Sequence, residues 1–244
     1  MKRLAACIAL LVLASGAQAR DRDPPHGFGQ RGGYANPSAA IAAEIALAQL
    51  ARDKGQWTAF KATAAPDAVM FAPAPSSAMV LAQAWLKNRP NPAVPLAWQP
   101  HEVWSSCDGT LMVTAGAWQR GDRHGWFTTV WQRQEKRGYK WIFNDADETR
   151  DAIPDSDMIA AHVADCPDRV AGSRPGAHPD RPKHGKPPKA PVVPFDPTHR
   201  EGRSHDGTLT WRVTADASGK HDFTAQMIVD GRMQEIRSDH VNGD

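Results

Sequence analysis

Two aspartates near the end of a predicted strand are the clearest candidates for chemistry. Residues 144–148 read Asn-Asp-Ala-Asp-Glu. Because side chains alternate between the two faces of a strand, Asp145 and Asp147 are predicted to share a face with Trp141 and Phe143. A carboxylate beside apolar rings has a raised pKa and can act as a general base. The alternative is a solvated strand end in which one acid caps a turn.

Three other titratable residues are weaker candidates. His101 stands between Pro100 and Glu102 in a predicted strand, where it either pairs with an acid to form a dyad or occupies an edge strand. We expect Asp67 to organise a turn before a short strand. We expect Glu44 to lie on the polar side of the first helix.

Metal and cofactor chemistry finds no support in the sequence. The ten histidines form neither His-x-His nor His-Glu-x-x-His, so no metal site is predicted. There is no glycine-rich phosphate loop and no nucleophile elbow. We therefore expect no cofactor.

Tryptophan is frequent, and eight of the nine lie between Trp57 and Trp141. Each indole buries a large area and needs a partner for its N–H group. These rings either pack a wide core or line a pocket for a flat apolar or carbohydrate-like ligand. The candidates for the pocket wall are Phe71, Trp98, Trp118, Trp131 and Trp141.

The first residues predict secretion. Lys2 and Arg3 precede an apolar run at residues 4–14, and a small-x-small cleavage site ends at Ala19. This pattern is typical of a signal peptide spanning 1–19. The alternatives are an uncleaved anchor and a lipid attached at Cys7. We expect a periplasmic or secreted protein with no membrane attachment after cleavage.

The mature chain carries no net charge. Removal of the signal peptide takes away two of the 29 basic residues and none of the 27 acidic ones, which leaves 27 of each. A nucleic-acid or membrane partner requires a basic excess. Neither partner is expected.

Two cysteines, Cys107 and Cys166, remain in the mature chain. In an oxidising compartment they predict one disulfide, and two separate thiols are the alternative. A loop of this length would contribute roughly 4 kcal/mol in the chain-entropy model.

Helical periodicity dominates the first part of the mature chain. Residues 20–37 are rich in glycine, proline and charge and predict a disordered leader. Ser38 is the predicted N-cap of a first helix, which Gly55 ends. The next predicted elements are a second helix (56–64), a short strand (69–71) and a third helix (79–88).

From residue 96 onwards, apolar residues recur every 2 residues instead of every 3.6 residues. Short turns separate four candidate strands, which predict an antiparallel meander. The strands cover residues 96–104, 110–119, 126–134 and 139–147. Helices followed by strands give an α+β architecture with the helices on one face of the sheet. A further short helix is predicted over 157–166.

The end of the chain predicts a linker and a second set of strands. Eight prolines in the 27 residues from Ala171 to Pro197 indicate an extended linker, assigned to 167–200. Three candidate strands form a C-terminal β-meander within 201–244, at residues 208–215, 222–229 and 233–241. With few large apolar residues, they are expected to dock on the first domain or on a partner.

The tetrapeptide Asp-Gly-Thr-Leu occurs twice, starting at Asp108 and at Asp206. In both copies Asp-Gly fits a tight turn, and apolar alternation begins at the leucine. The flanking segments differ. We interpret the repeat as the same strand start in two sheets, and not as a ligand motif used twice.

The order of elements resembles the nuclear transport factor 2-like, or SnoaL-like, superfamily. The segments "AEIALAQLARDKGQWTAFKATAAPDAVMFAP", "LAWQPHEVWSSCDGTLMVTAGAWQ" and "GWFTTVWQRQEKRGYKWIFNDADE" are similar to its helical opening and paired strands. The resemblance covers residues 38–148, within a predicted domain of 38–166, and is nearest to a secreted bacterial branch of unknown function. It implies a cone-like fold: three N-terminal helices on a curved antiparallel sheet, with a C-terminal β-extension.

This superfamily includes isomerases, dehydratases, cyclases and binding or assembly modules, so the resemblance does not select a function. We favour a module that binds a small apolar or aromatic ligand or interacts with another protein. One alternative is a lyase or isomerase with Asp145 or Asp147 as base, which predicts a pocket with a buried acid and a polar partner. Another is a structural homodimer, which predicts a filled cone and an exposed apolar sheet face.

Overall fold

The computed structural model describes residues 35–73, 76–134, 138–166 and 194–243. The predicted signal peptide, residues 20–34 of the predicted leader and residues 167–193 of the predicted linker lie outside these ranges. The described residues form an α+β structure, as predicted. The main sheet, however, is larger than expected and mixed rather than antiparallel.

The helices are α1 (Pro37–Lys54), α2 (Gln56–Thr63) and α3 (Ala82–Trp85). The first begins at Pro37 with Asn36 as its N-cap, so the predicted cap Ser38 lies inside the helix. A proline suits the first helical position because the N–H group that it lacks would have no partner inside the helix.

Gly55 ends α1 and begins α2, as the sequence predicts for the first boundary. Its φ is +92°, and a Cβ atom there would lie 2.3 Å from Cγ of Asn91. Because glycine lets Asn91 come this close, the Asn91 Oδ1 accepts hydrogen bonds from the N–H groups of Trp57 and Thr58. These bonds satisfy donors that a helix start leaves unpaired.

The first sheet contains β1 (Ala64–Phe71), β2 (Met79–Leu81), β3 (Ala97–Ser105), β4 (Leu111–Arg120), β5 (Arg123–Arg133), β6 (Tyr139–Glu148) and β7 (Ala160–Val163). Their order is β2-β1-β6-β5-β4-β3-β7. The meander from β3 to β6 is antiparallel, as predicted. Two parallel pairs, β1 with β6 and β3 with β7, make the sheet mixed.

Two helix predictions are wrong. Residues 79–88 form β2 and the single turn α3, because Met79–Leu81 pairs with the end of β1 at the sheet edge. Residues 157–166 contain the edge strand β7, and Ala164 continues its pairing by donating its N–H to the carbonyl of Ser105.

The predicted disulfide joins Cys107 to Cys166, with 5.2 Å between the Cα atoms. It ties the segment after β7 to the turn after β3. The bond therefore fixes the edge of the sheet by a covalent link.

The second sheet contains β8 (His199–Arg203), β9 (Leu209–Ala215), β10 (His221–Val229) and β11 (Arg232–Val241) in the order β11-β10-β9-β8. The last three match the predicted C-terminal strands. The first, β8, lies partly within residues assigned to the linker, where no strand is predicted.

Phe143 packs the second sheet onto the first. Its ring stacks on Phe223 at 5.0 Å between centroids and lies 5.3 Å from the ring of Trp211. On the opposite face of the first sheet, Trp141 meets Phe60 of α2 edge to face. The first sheet is therefore covered by helices on one face and by the second sheet on the other.

The two Asp-Gly-Thr-Leu turns contact each other. The N–H of Asp108 binds Oδ2 of Asp206 at 2.7 Å, and the N–H of Asp206 binds Oδ2 of Asp108 at 3.1 Å. Each threonine hydroxyl also binds the opposite turn. The Thr208 hydroxyl accepts the N–H of Cys107, and the Thr110 hydroxyl accepts the N–H of His205. The repeat thus starts a strand in each sheet, as interpreted, and also joins the two sheets.

Each carboxylate also organises its own turn. Oδ1 of Asp206 accepts the Ser204 hydroxyl and both the N–H and the hydroxyl of Thr208. Burial raises the pKa of Asp206, but these bonds and the one from Asp108 outweigh that effect, so the pKa lies below its usual range. Stabilisation by this carboxylate is therefore present above the usual aspartate range and is lost as the pH falls through the lowered pKa.

We predict that Asp206→Ala lowers the free energy of unfolding at neutral pH by about 1–3 kcal/mol, because donors in both turns lose their acceptor. The matched control is Asp216→Ala, which removes an aspartate that caps only its own turn in the second sheet. Denaturant titration of both variants measures the difference. Equal losses would show that the contact between the turns adds no stability.

Candidate functional site

A cavity of about 500 Å³ is lined by α1, α2 and the first sheet and, from the second sheet, by His221 and Val241. Its wall includes the apolar side chains of Trp57, Phe60, Met70, Phe71, Leu96, Trp98, Trp118 and Phe127. The polar groups include Glu44, Gln56, Arg120, Asn144, Asp145, Asp147 and His221. This size and a mainly apolar accessible surface are typical of sites for small molecules.

Phe60 is the centre of the aromatic wall. Its ring meets Trp57 at 5.9 Å and Trp98 at 5.8 Å, both edge to face. Trp57 and Phe60 are three residues apart in α2 and therefore project from neighbouring positions of one helix face. The contacts hold the rings in fixed orientations around the cavity.

Glu44 is buried, so the expectation that it lies on the polar side of α1 is wrong. Its Oε1 accepts the indole N–H of Trp98 at 2.8 Å. Its Oε2 accepts the Thr114 hydroxyl at 2.6 Å and the Trp131 N–H at 3.0 Å. Burial raises the pKa of Glu44, and the three hydrogen bonds offset this effect only in part.

Arg120 and Gln56 form the second polar group of the wall. The Arg120 Nη2 donates to Oε1 of Gln56 at 2.6 Å, and the same oxygen accepts the N–H of Leu96. Burial lowers the pKa of Arg120, and the nearby Arg123 lowers it further. Within the described ranges no carboxylate forms a salt bridge with Arg120.

A β-bulge in β6 changes the face on which the predicted acids lie. Trp131 pairs with Trp141 but its neighbour Val130 pairs with Phe143, so β6 contains one extra residue there. Trp141 therefore faces the helices, whereas Phe143 and Asp145 face the second sheet. The predicted shared face holds for Asp145 and Phe143 and is wrong for Trp141.

Asp145 and His221 form an ion pair between the two sheets. The Asp145 Oδ2 lies 3.0 Å from Nε2 of His221, and the side chains are 1% and 3% exposed. The other ring nitrogen, Nδ1, lies 2.7 Å from the carbonyl oxygen of Gly219. Both ring nitrogens face acceptors, an arrangement that suits the doubly protonated imidazolium. The ring of Phe71 stacks on the imidazole at 3.5 Å.

The charge of Asp145 determines the protonation of His221. Burial lowers the pKa of His221, but the hydrogen bond and charge of Asp145 raise it, with smaller contributions from Gly219 and Asp147, and the net pKa is raised. A second buried acid, Asp239 of β11, lies nearby. Burial raises its pKa, and so does the charge of Asp145.

The structure brings only part of the predicted wall together. Of the five side chains predicted to form the wall, Phe71, Trp98 and Trp118 line the cavity. Trp131 and Trp141 do not line it, because their rings are fully buried and their N–H groups bind Glu44 and the Phe60 carbonyl. These two rings pack in the core next to the cavity wall.

Of the other two catalytic candidates, one lies on the cavity wall and one does not. Asp147 lies on the cavity wall, and its Oδ1 accepts the N–H of Glu148. His101 sits at a bulge in β3, away from the wall. Within the described part of the chain no acid pairs with His101, so the proposed dyad does not form there.

Sequence reasoning missed His221, Arg120 and Gln56, and it placed Glu44 on the wrong face of α1. For Glu44 and Arg120 a signal was present in the sequence. Glu44 falls in the buried stripe of α1, together with Ala40, Leu47, Ala48 and Ala51. Arg120 lies two residues after Trp118 in β4 and so shares its face. For His221 no local signal exists, because the contact joins two separate sheets.

Across the described ranges, no three His, Cys, Asp or Glu side chains are grouped to hold a metal ion. No helix in those ranges is long and apolar enough to cross a membrane. The polar side chains of the cavity wall instead form hydrogen bonds with indole N–H groups, with amides or with one another.

Solved structures provide the comparisons with known proteins. The chain is similar to a candidate ketosteroid isomerase from Parabacteroides distasonis, with 16% identity, coverage of 50% of this chain and 98% of that chain, and a TM-score of 0.38. A candidate ketosteroid isomerase from Kribbella flavida is 10% identical, with coverages of 50% and 86% and a TM-score of 0.32. An LEH-like epoxide hydrolase from Mycobacterium tuberculosis is 15% identical, with coverages of 46% and 84% and a TM-score of 0.31.

These structural neighbours belong to the nuclear transport factor 2-like superfamily, which is the family that residues 38–148 resemble. No protein-family model matches the chain, and none of the curated proteins matches it. At such TM-scores the similarities carry no argument about what the cavity binds. The role must be inferred from the cavity itself.

We predict that the stability of Glu44→Gln relative to the parent increases as the pH rises. A buried acid with a raised pKa holds its proton in the folded state after the unfolded chain has lost it, so parent stability falls as the pH rises through this window. The amide removes that fall and keeps an acceptor for Trp98, but its NH2 group replaces the oxygen that accepts from Thr114 and Trp131, which costs some stability at every pH. Thermal unfolding across the pH range measures the effect.

Glu44→Leu is the matched control, because it is similar in size but offers no acceptor. We expect it to lose about 1–3 kcal/mol through the unpaired indole N–H of Trp98. If both variants lose equally and independently of pH, the protonation of Glu44 has no influence on stability.

Proposed function

We propose that this protein binds a small, largely apolar molecule in the cavity lined by α1, α2 and both sheets. The observation that carries the proposal is a cavity of about 500 Å³ whose accessible wall is mainly apolar and includes six aromatic rings. The rings of Trp57, Phe60 and Trp98 are already fixed by contacts with each other. A flat ligand would therefore bind without much loss of side-chain freedom.

The proposed location is the periplasm or the cell exterior. The predicted signal peptide and the disulfide between Cys107 and Cys166 support it, since disulfides persist in oxidising compartments. A purely structural homodimer has less support, because the cone is not filled and the second sheet packs on the outer face at Phe143.

We predict that Ala146→Trp blocks binding, because Ala146 is an exposed residue on the cavity wall and the indole would occupy the space of the ligand. Calorimetry with naphthalene and indole probes is the measurement, and at least about a tenfold loss of affinity is expected. Ala97→Trp, at an exposed position of β3 away from the wall, is the control. Equal affinities in the two variants would contradict binding in this cavity.

A second candidate function is proton transfer of the lyase or isomerase type, with Asp145 as base. The specific observation is a carboxylate on the cavity wall with a histidine partner 3.0 Å away. A pocket that holds a buried acid beside a polar partner is what an enzyme of this type requires. Two facts favour simple binding: the side chains are 1% and 3% exposed, and both nitrogens of His221 are already engaged.

For this candidate we predict that the protein accelerates hydrogen–deuterium exchange at the α-carbon of bound cyclic ketones, followed by NMR. Asp145→Asn should abolish the acceleration, since an amide is not a base. The control is Asp222→Asn, which changes an aspartate paired with a histidine, His240, on the exposed surface. No exchange above the buffer rate with any bound ketone would exclude this role and leave the binding function standing.

A further inference from the structure

Arg120 is the least satisfied charged group on the cavity wall. Its Nη2 has one neutral acceptor, Oε1 of Gln56 at 2.6 Å, and its Nε is buried without a hydrogen-bond partner. The neighbouring Arg123 is bound to Glu148 and is more exposed. A partly buried guanidinium normally has an anionic partner, because loss of hydration is otherwise not compensated.

Resting on the binding function above, we propose that the ligand carries a carboxylate that Arg120 binds, while its apolar body lies against the aromatic wall. The guanidinium presents a planar fork that matches the two oxygens of a carboxylate. The neighbouring acceptor Gln56 holds one nitrogen in place, which fixes the orientation of the fork.

The acids on the same wall give the ligand a direction. Glu44 lies among indole donors and Asp145 is neutralised by His221, so neither occupies Arg120. A ligand carboxylate would be attracted by the positive charge of Arg120, which has no anionic partner among the described residues, and neither Glu44 nor the Asp145–His221 pair offers such a charge. The geometry therefore selects a carboxylate with an apolar ring over a neutral hydrocarbon.

The test compares two probes of the same shape, 2-naphthoate and the uncharged 2-naphthamide, by calorimetry on the full mature protein. We expect the parent to prefer the carboxylate by about tenfold or more, which corresponds to ~1.4 kcal/mol. In Arg120→Gln the preference should fall to about one, with the affinity for the amide unchanged. Arg120→Lys should keep part of the preference, because it retains the charge without the fork.

The matched control is Arg52→Gln, which removes the same charge from the exposed surface of α1. It should keep the full preference, and unchanged thermal unfolding of each variant shows that the fold is intact. Equal affinity of the parent for both probes overturns this inference and leaves the binding function standing. Failure of both probes to bind at millimolar concentration contradicts the binding function as well.

Discussion

The contact between the two Asp-Gly-Thr-Leu turns is the constraint on which the rest of the structure depends. Each aspartate uses one oxygen to hold its own turn and the other to accept an N–H from the opposite turn. Two carboxylates can lie this close only because backbone and hydroxyl donors surround them. The contact sets where β9 begins relative to β4, and β10 follows β9 in register. It thereby helps to place His221 opposite Asp145.

Burial of the first sheet on both faces determines which polar groups the core contains. The helical face buries Glu44, whose oxygens are acceptors for the indole donors of Trp98 and Trp131. The other face buries Asp145, which is neutralised by an imidazole. The extra residue in β6 separates these environments, since Trp141 on one side of the bulge faces the helices and Phe143 on the other faces the second sheet.

Features that depend on the local sequence were predicted correctly. The first two helices, the four-stranded meander, the last three strands and the disulfide follow from periodicity, glycine turns and cysteine count. The errors come from pairing between distant segments: β2 and β7 are strands because a sheet edge is available to them, although their residues also suit a helix. The bulge in β6 and the position of His221 depend on the second sheet. The sequence therefore named Asp145 but not its partner.

The distribution of charge on the cavity wall favours the proposed binding site over a packing defect. If the wall served only stability, Glu44 and Arg120 would be expected to pair with each other or to be replaced by apolar residues, since unpaired buried charges are destabilising. Instead the acid is bound by neutral donors and the guanidinium by a neutral amide. Asp145, by contrast, has a cationic partner where two sheets must be held together. Natural sequences keep such local conflicts mainly where function requires them, and here the conflict lies on the wall of the cavity.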